Sequence, residues 1–408
     1  MNTSAPVWLK RSYCALFALL PWSAEAHFEG WSLSVPAEPL LGVTALLLLF
    51  YLRAPHLNTI LRDNGVARFG AALLGWMAIC AFFSCQPMVS WKYWVVEALH
   101  GWVFIAGVAA WPGLWRQAFP WYAASISGMV VFTLVQHANY DFRADQALLA
   151  SKPFFQNHTL WATALSLTFF ITWLPVRGMP SLPPVFYAWF PFRRQASRTW
   201  ILAGGLLALV FSMCRAAWIT TAAAFLLCFY PRLSPRYRRF FVALLLPGGL
   251  ILGLKMLDWR AEDVSVRERI NRWHCALEMG LAAPVTGWGP GTFQFQYLDY
   301  QQPEYRTRIS LSVPQFGHGT DTYGRGGGAH SEYGRALAET GVPGLALFLW
   351  LSGYILWVKR PKKWEEAGVW LALFVFFSHG LVNDFLHEGK IAALVWGGMA
   401  WWCNRKTR

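Results

Sequence analysis

Charge is what this sequence has least of. Only 14% of its 408 residues are Asp, Glu, Lys or Arg, against about 25% in soluble domains. Meanwhile 56% are hydrophobic, 17% are aromatic, and Trp alone occurs 25 times. A soluble core of this length cannot absorb so much apolar surface, which excludes a water-soluble globular enzyme. The same hydrophobicity excludes disorder. Short alternating strands are missing, which excludes a membrane β-barrel. The seven cysteines include no C-x-x-C pair, so neither a disulfide framework nor a zinc site is indicated. No paired carboxylates are spaced for hydrolysis, which disfavours glycosidase chemistry. Heptads, soluble repeats and low-complexity tails are absent too.

What remains is a chain whose solvent is lipid. A span needs roughly 20 mostly apolar residues, and twelve candidates follow: 12–26, 36–52, 68–87, 91–111, 118–136, 158–176, 200–213, 216–230, 240–257, 342–358, 367–383 and 391–403. Backbone exposed to lipid must satisfy its own hydrogen bonds, so these are read as helices. The expected fold is an all-α polytopic membrane protein of about 12 transmembrane helices. Residues 1–257 hold the first nine helices, 258–341 form one large external loop domain, and 342–408 hold the last three helices and a short tail.

The net charge of +14 needs a membrane explanation, since the basic residues form no single soluble patch for nucleic acid. With the N-terminus inside, the inner segments contain Lys10, Arg11, Arg53, Arg62, Arg68, Arg116, Arg232, Arg236, Lys359, Arg360, Arg405 and most other basic residues. Their only acids are Asp63, Glu365 and Glu366. This obeys the positive-inside rule and puts both termini in the cytoplasm. The first span, with Lys10-Arg11 before it and Ala24-Glu25-Ala26 after it, imitates a cleavable signal. Pro21 and Trp22 interrupt it and favour an uncut helix.

The segment 258–341 is the exception to a pattern of short loops. It collects Arg260, Arg267, Arg269, Arg272, Arg306, Arg308, Arg325 and Arg335 on the side where basic residues are otherwise scarce. Charge that topology does not require points to an anionic ligand. Residues 266–280 read as an amphipathic helix. Ile270, Trp273 and Leu277 lie on one stripe, with Arg269 and Arg272 at its border and the stripe set into lipid. Gly287-Trp288-Gly289-Pro290-Gly291 lets backbone N–H groups approach an anion. It lacks the Lys-Ser/Thr of a P-loop, so nucleotide binding is disfavoured and a tight structural turn is the plainer reading.

His330 follows a glycine run and precedes a helical stretch over 331–340, which Gly341 stops before Pro343 opens the next span. The positive end of a helix dipole keeps an imidazole neutral, as a general base requires. A helix cap is the alternative. Arg215 lies at the outer end of a tight hairpin between two apolar spans. Burying an ionised guanidinium there is costly unless it is paired, so it either snorkels to headgroups or holds a lipid phosphate. His379, Asp384, His387 and Glu388 are read as rim residues without metal spacing. His137, Asp141, Arg143 and Asp145 are read as a solvated loop, and His158 as a satisfied interfacial histidine.

In order, these features resemble the O-antigen ligase and polymerase superfamily of bacterial membrane glycosyltransferases over about residues 205 to 345. Arg215 stands where the family has Ser-Arg, with Cys214 replacing the serine. Arg269-x-x-x-Trp273 opens the large loop. Pro284, Gly287-x-Gly289-x-Gly291 and Phe293 follow, then His330-Ser331-Glu332-Tyr333 and Glu339-Thr340-Gly341-Val342-Pro343-Gly344. Ser331 departs from the usual Asn, and Gly334 from Leu.

The resemblance implies a C-type-glycosyltransferase-like architecture in the bacterial inner membrane, with a periplasmic active site. It implies metal-independent, inverting transfer of a glycan from undecaprenyl diphosphate to a lipid A-core hydroxyl, without cofactor or nucleic acid. Arg215 and Arg269, with Arg267 as a weaker candidate, would hold the diphosphate. His330 would be the base or orient the acceptor, and Gly289, Gly291, Tyr333 and Glu339 would support the site. The competing readings are a polymerase or protein O-oligosaccharyltransferase of the same superfamily and, outside enzymes, a carrier-lipid transporter. A transporter would place its charges at mid-membrane in repeated halves.

Overall fold

A computed structural model describes residues 5–28, 31–52, 54–174, 194–236, 264–305, 328–363 and 367–404. The expected span 240–257 and the arginines at 260, 306, 308 and 325 fall outside them. The described chain is mainly helical. Helix α1 (Val7–Leu19) ends where Pro21 enters a tight turn. It packs on later helices through Leu9, Tyr13, Leu16 and Phe17, all fully buried. The signal-like Ala24-Glu25-Ala26 is part of a strand, β1 (Ala24–Phe28), paired antiparallel with β2 (Trp31–Val35) in register Ala24 to Val35. This hairpin corrects the expectation of helix through Ala26, within a chain that is otherwise helical as expected of an all-α fold.

The helices that follow are α2 (Ala37–Tyr51), α3 (Ala54–Asp63), α4 (Gly65–Phe82), α5 (Pro87–Ala110), α6 (Pro112–Ala138), α7 (His158–Trp173), α8 (Arg194–Phe211), α9 (Arg215–Phe229), α10 (Val264–Ala282), α11 (Glu332–Val358), α12 (Gly368–His379) and α13 (Gly389–Cys403). Among the described residues, α4, α5, α6 and α11 are each long and apolar enough to cross a bilayer alone. The chain is a membrane protein. The other apolar helices are shorter, and three, α7, α12 and α13, are largely enclosed by protein. Nearly every residue of α13, and of α7 from Leu160 onward, is buried. Residues that contact protein on all sides do not need the length that lipid contact demands.

The helix ends sort into two groups. At one end Asn64 donates to Ala400 O (2.9 Å) and to Asn404 Oδ1 (3.0 Å), Asn404 donates to Ala109 O (2.9 Å), and Trp402 donates to Lys359 O (2.7 Å). Arg62 and Arg360 belong to this end. At the other end Cys85 N donates to Trp288 O (3.2 Å), Lys390 to Ser23 O (2.8 Å) and Glu332 N to Gly380 O (2.8 Å). Segments expected on a common side of the membrane therefore meet at a common end.

Helix α11 is two helices joined across a kink. Gly341 has φ 67°, ψ −171° inside it. A Cβ there would sit 2.2 Å from Val285 O. The glycine is required twice, once for its left-handed backbone and once for the close approach that lets Val342 N donate to Pro284 O (2.8 Å). The Gly341→Ala substitution is expected to cost about 1–3 kcal/mol, read as a lower melting temperature in detergent. Gly75→Ala, where nothing lies within 4 Å, should leave melting unchanged.

Candidate functional site

The second group of helix ends gathers most of the residues singled out in the sequence. The hairpin of α8 and α9 turns through Met213, which has φ 53°, and Trp218 Nε1 closes it on Leu209 O (2.7 Å). Arg215 is the first residue of α9 and is exposed; Cys214 before it is buried. The guanidinium groups of Arg215 and Arg269 both act on the Cys214 thiol, which places the hairpin tip and α10 side by side. Arg269 is half-buried on α10. It donates to Ser265 O (3.2 Å) and Ser265 Oγ, and weakly to Val382 O (3.4 Å) beyond α12.

His330 stands two residues before Glu332, outside the helix. The cap itself is Ser331, whose Oγ accepts from Gly334 N (3.1 Å). The His330 backbone has φ 49°, a left-handed conformation costly for a residue with a side chain and concentrated at functional sites. Burial first, then the charges of Arg272 and Arg269, push its imidazole down to about 3. The imidazole is therefore neutral, and its main cause is desolvation rather than the helix dipole invoked from sequence.

Two side chains hold the turn before His330. Arg272 donates from Nη1 to Gly328 O, and Asp384 accepts from Ala329 N (3.1 Å). Arg272 corrects the expectation of a headgroup-level arginine. It is fully buried, paired through Nε with Glu268 (2.8 Å), and its guanidinium lies 4.7 Å from the Tyr297 ring centre. Its Nη2 has no partner among the described residues. Other buried polar atoms share that condition. Asn271 Nδ2 lies on the same helix, Asn383 Nδ2 follows Val382, and a ring nitrogen is bare on each of His158 and His379. Arg269 acts electrostatically on both histidines. His158 is thus not the satisfied histidine expected. The apolar stripe of α10 does face outward, with Trp273, Leu277 and Leu281 exposed.

Sequence reasoning missed the assembly beneath this turn. Glu332 Oε1 accepts from Phe385 N (2.7 Å) and Leu386 N (2.6 Å), while Oε2 accepts from Arg335 (2.6 Å). Arg335 also donates to Tyr93 Oη and to His387 Nδ1 (2.9 Å). Asp384 and His379, expected at a rim, are buried instead. Burial holds the Asp384 carboxyl up to about 6 against the nearby Arg335 and Arg272. Only the i, i+3 spacing of Glu332 and Arg335 could have signalled this cluster.

The remaining expected residues lie elsewhere. Arg267 donates to Glu304 O (2.8 Å), away from Arg269. Tyr333 donates to Phe377 O (3.1 Å) and packs on Phe348. In the glycine-rich turn, Trp288 N and Gly289 N donate to Ala338 O and Glu339 O (3.0 Å each). Glu339 is buried and accepts from Phe293 N (3.1 Å) and from the Gly291 backbone. Gly289 and Gly291 have φ 108° and 76°. The turn thus places its amides on the protein's own groups, one of them a carboxylate. His137 is buried against Arg143 O (2.9 Å), whereas the Arg143–Asp145 pair is solvated as expected.

With the geometry in place, comparison decides the class. Residues 200–349 match a family model described as O-antigen ligase. The chain carries an O-antigen ligase domain. The match spans the α8–α9 hairpin, α10, the glycine-rich turn, His330 and the kinked α11, and it encloses the segment whose motifs carried the resemblance. Such a domain points to ligase- or polymerase-type glycosyl transfer, with a lipid-linked glycan substrate and a lipid-type acceptor. No curated protein matches the chain.

The resting protein is expected to keep His330 unprotonated from pH 8 down to pH 5, because its folded pKa lies far below the ordinary value near 6.5. The check is imidazole NMR of His-labelled protein against His330→Gln. A titration step near pH 6.5 that vanishes in the variant would contradict the burial described.

Proposed function

We propose that this protein is an O-antigen ligase of the bacterial inner membrane. In this reading it moves a glycan from undecaprenyl diphosphate to a hydroxyl of the lipid A core at the periplasmic face. The twelve-span topology, cytoplasmic termini and external domain at 258–341 belong to the same proposal. One observation carries it: a neutral, strained His330 on which the charges of Arg269 and Arg272 both act.

A diphosphate is already a good leaving group. Cationic stabilisation of the developing charge is what it needs, and Arg269 supplies this beside Arg215 at the hairpin tip. The buried Nη2 of Arg272 is a further donor facing the same turn. The acceptor hydroxyl is a weak nucleophile and needs a base. Buried, and under the charges of two guanidinium groups, His330 is too weak a base at rest. An anion settling among those charges cancels them and raises its proton affinity, so the donor prepares the base before the acceptor arrives. The hydroxyl oxygen bonds to the anomeric carbon, the carbon–diphosphate bond breaks, and the hydroxyl proton passes to His330. Attack opposite the diphosphate inverts the centre.

In proteoliposomes with a defined carrier-linked glycan and lipid A core, His330→Ala is expected to lower turnover by about 10²–10⁴-fold while donor affinity is retained. Arg269→Lys should weaken donor binding by about tenfold, because an ammonium lacks the planar fork. Wild-type turnover by His330→Ala, or equal loss of donor binding in both variants, would refute this division of roles. Elongated carrier-linked chains formed without any core would identify a polymerase instead.

Orientation has its own test. Cys85 is exposed at the end that holds His330. A membrane-impermeant maleimide is expected to label it in intact spheroplasts. Labelling only after lysis would invert the topology.

A further inference from the structure

The glycine-rich turn is the sequence motif that the proposed chemistry leaves without a task. It follows the end of α10 at Ala282, and hydrogen bonds fix its depth in the bundle. Pro284 O accepts from Val342 N (2.8 Å), and Val285 O lies against the backbone of Gly341. Thr340, just before that kink, has its carbonyl bonded to Trp76 Nε1 (2.8 Å). Trp76 stands six residues before the end of α4 at Phe82, about 9 Å along the helix. Helical side chains lean toward the N-terminus of their helix, and α4 begins at the opposite end of the bundle. Thr340 O is therefore met well inside the end of α4. The length of α11 agrees. Its 17 residues from Val342 to Val358 rise about 25 Å, less than the roughly 30 Å of a hydrocarbon layer. Lys359 and Arg360 follow and mark the far surface. Val342, Pro284 and Val285 thus reach below the near surface of that layer.

At this depth α10 turns its apolar ridge outward. Leu281 is 66% exposed, Val285 62% and the adjoining Val342 53%. The opposite face of α10 is occupied, since Cys275, Ala276 and Met279 pack with Phe293 and Tyr297. Backbone at membrane depth must find its partners within the protein. The turn meets that demand. Gly287 N donates to Ala283 O, Trp288 N to Ala338 O and Gly289 N to Glu339 O (3.0 Å each), and Trp288 O accepts from Cys85 N (3.2 Å) beyond the end of α4. The chain descends along α10 and returns through three glycines, whose φ values of 63°, 108° and 76° allow so sharp a reversal.

We propose that α10 and the glycine-rich turn form a re-entrant element, with Leu281 and Val285 against the acyl chains of the leaflet on the His330 side. The occupant is lipid rather than protein, because the ridge adjoins Val342. Leu349, exposed two turns further on the same face of α11, continues it along a helix long and apolar enough to cross a bilayer. Trp273, about two turns above Leu281, then comes to headgroup level, where tryptophan is favoured. The tip of this segment re-enters the bilayer, while the rest of 258–341 stays outside in the proposed topology. The depth of the element does not rest on the catalytic reading above.

The test is electron spin resonance of the full-length protein in proteoliposomes, with Cys14 and Cys85 replaced by serine. Single nitroxide labels are attached at Leu281→Cys and Val285→Cys. Leu349→Cys is the lipid reference, and Asp145→Cys, in a solvated loop, the aqueous one. Collision with oxygen reports lipid, and collision with a polar nickel chelate reports water. The oxygen-to-nickel ratio at 281 and 285 is expected to match that at 349 and to exceed that at 145 by about fivefold or more, since hydrocarbon excludes the chelate. A ratio like that at 145 would overturn the proposal. So would shielding from both reagents, which would mean that protein, from this chain or a second copy, covers the ridge. Both positions are exposed, and unchanged melting checks that each label is tolerated. No glycan enters the measurement, so its failure and the failure of the ligase reading are separate results.

Discussion

The carboxylate of Glu332 is the point on which the outer end of the molecule depends. Buried, it accepts two backbone amides from the segment between α12 and α13 and binds Arg335, which in turn reaches Tyr93 on α5 and His387. Removing one partner of such a buried assembly leaves an uncompensated charge, at a typical cost of 3–5 kcal/mol. Through it the start of α11 is fixed against the last helical hairpin, and His330 stands two residues upstream. The strained backbone of His330 persists because Arg272, Asp384 and Ser331 hold its neighbours on both sides.

Two kinds of electrostatics therefore operate within one region. Below, opposite charges are matched and rigid. Above, the charges of Arg269 and Arg272 act on an imidazole that burial keeps neutral. The O-antigen ligase domain spans the arginines and the histidine, while Asp384 and His387 come from beyond it. The chain outside that domain thus supports the site directly.

Much of this was legible in the sequence because it rests on local rules. The hairpin at Arg215 followed from two apolar runs with almost nothing between them, and the break at Gly341 from a glycine before proline. The outward stripe of Trp273 and Leu277 followed from helical spacing. The grouping of helix ends followed from where basic residues fall. What escaped was set by tertiary contact. Periodicity placed Arg272 at a lipid border, yet Glu268, Gly328 and Tyr297 enclose it. Asp384 and His387 looked like a solvated rim because their partners, Ala329 and Arg335, lie about 50 residues upstream. The hairpin β1–β2 hid inside a stretch that imitates a signal peptide.

The brevity of α9 has a consequence for the surrounding bilayer. Its 15 residues rise only about 22 Å, yet Trp218, Ile219 and Phe229 are exposed along it. A hydrocarbon layer is about 30 Å thick, and lipid beside a short wall adapts by thinning. A leaflet that adapts in this way dips beside Arg215, so that an anionic headgroup there would sit nearer the guanidinium than in a bilayer of full thickness.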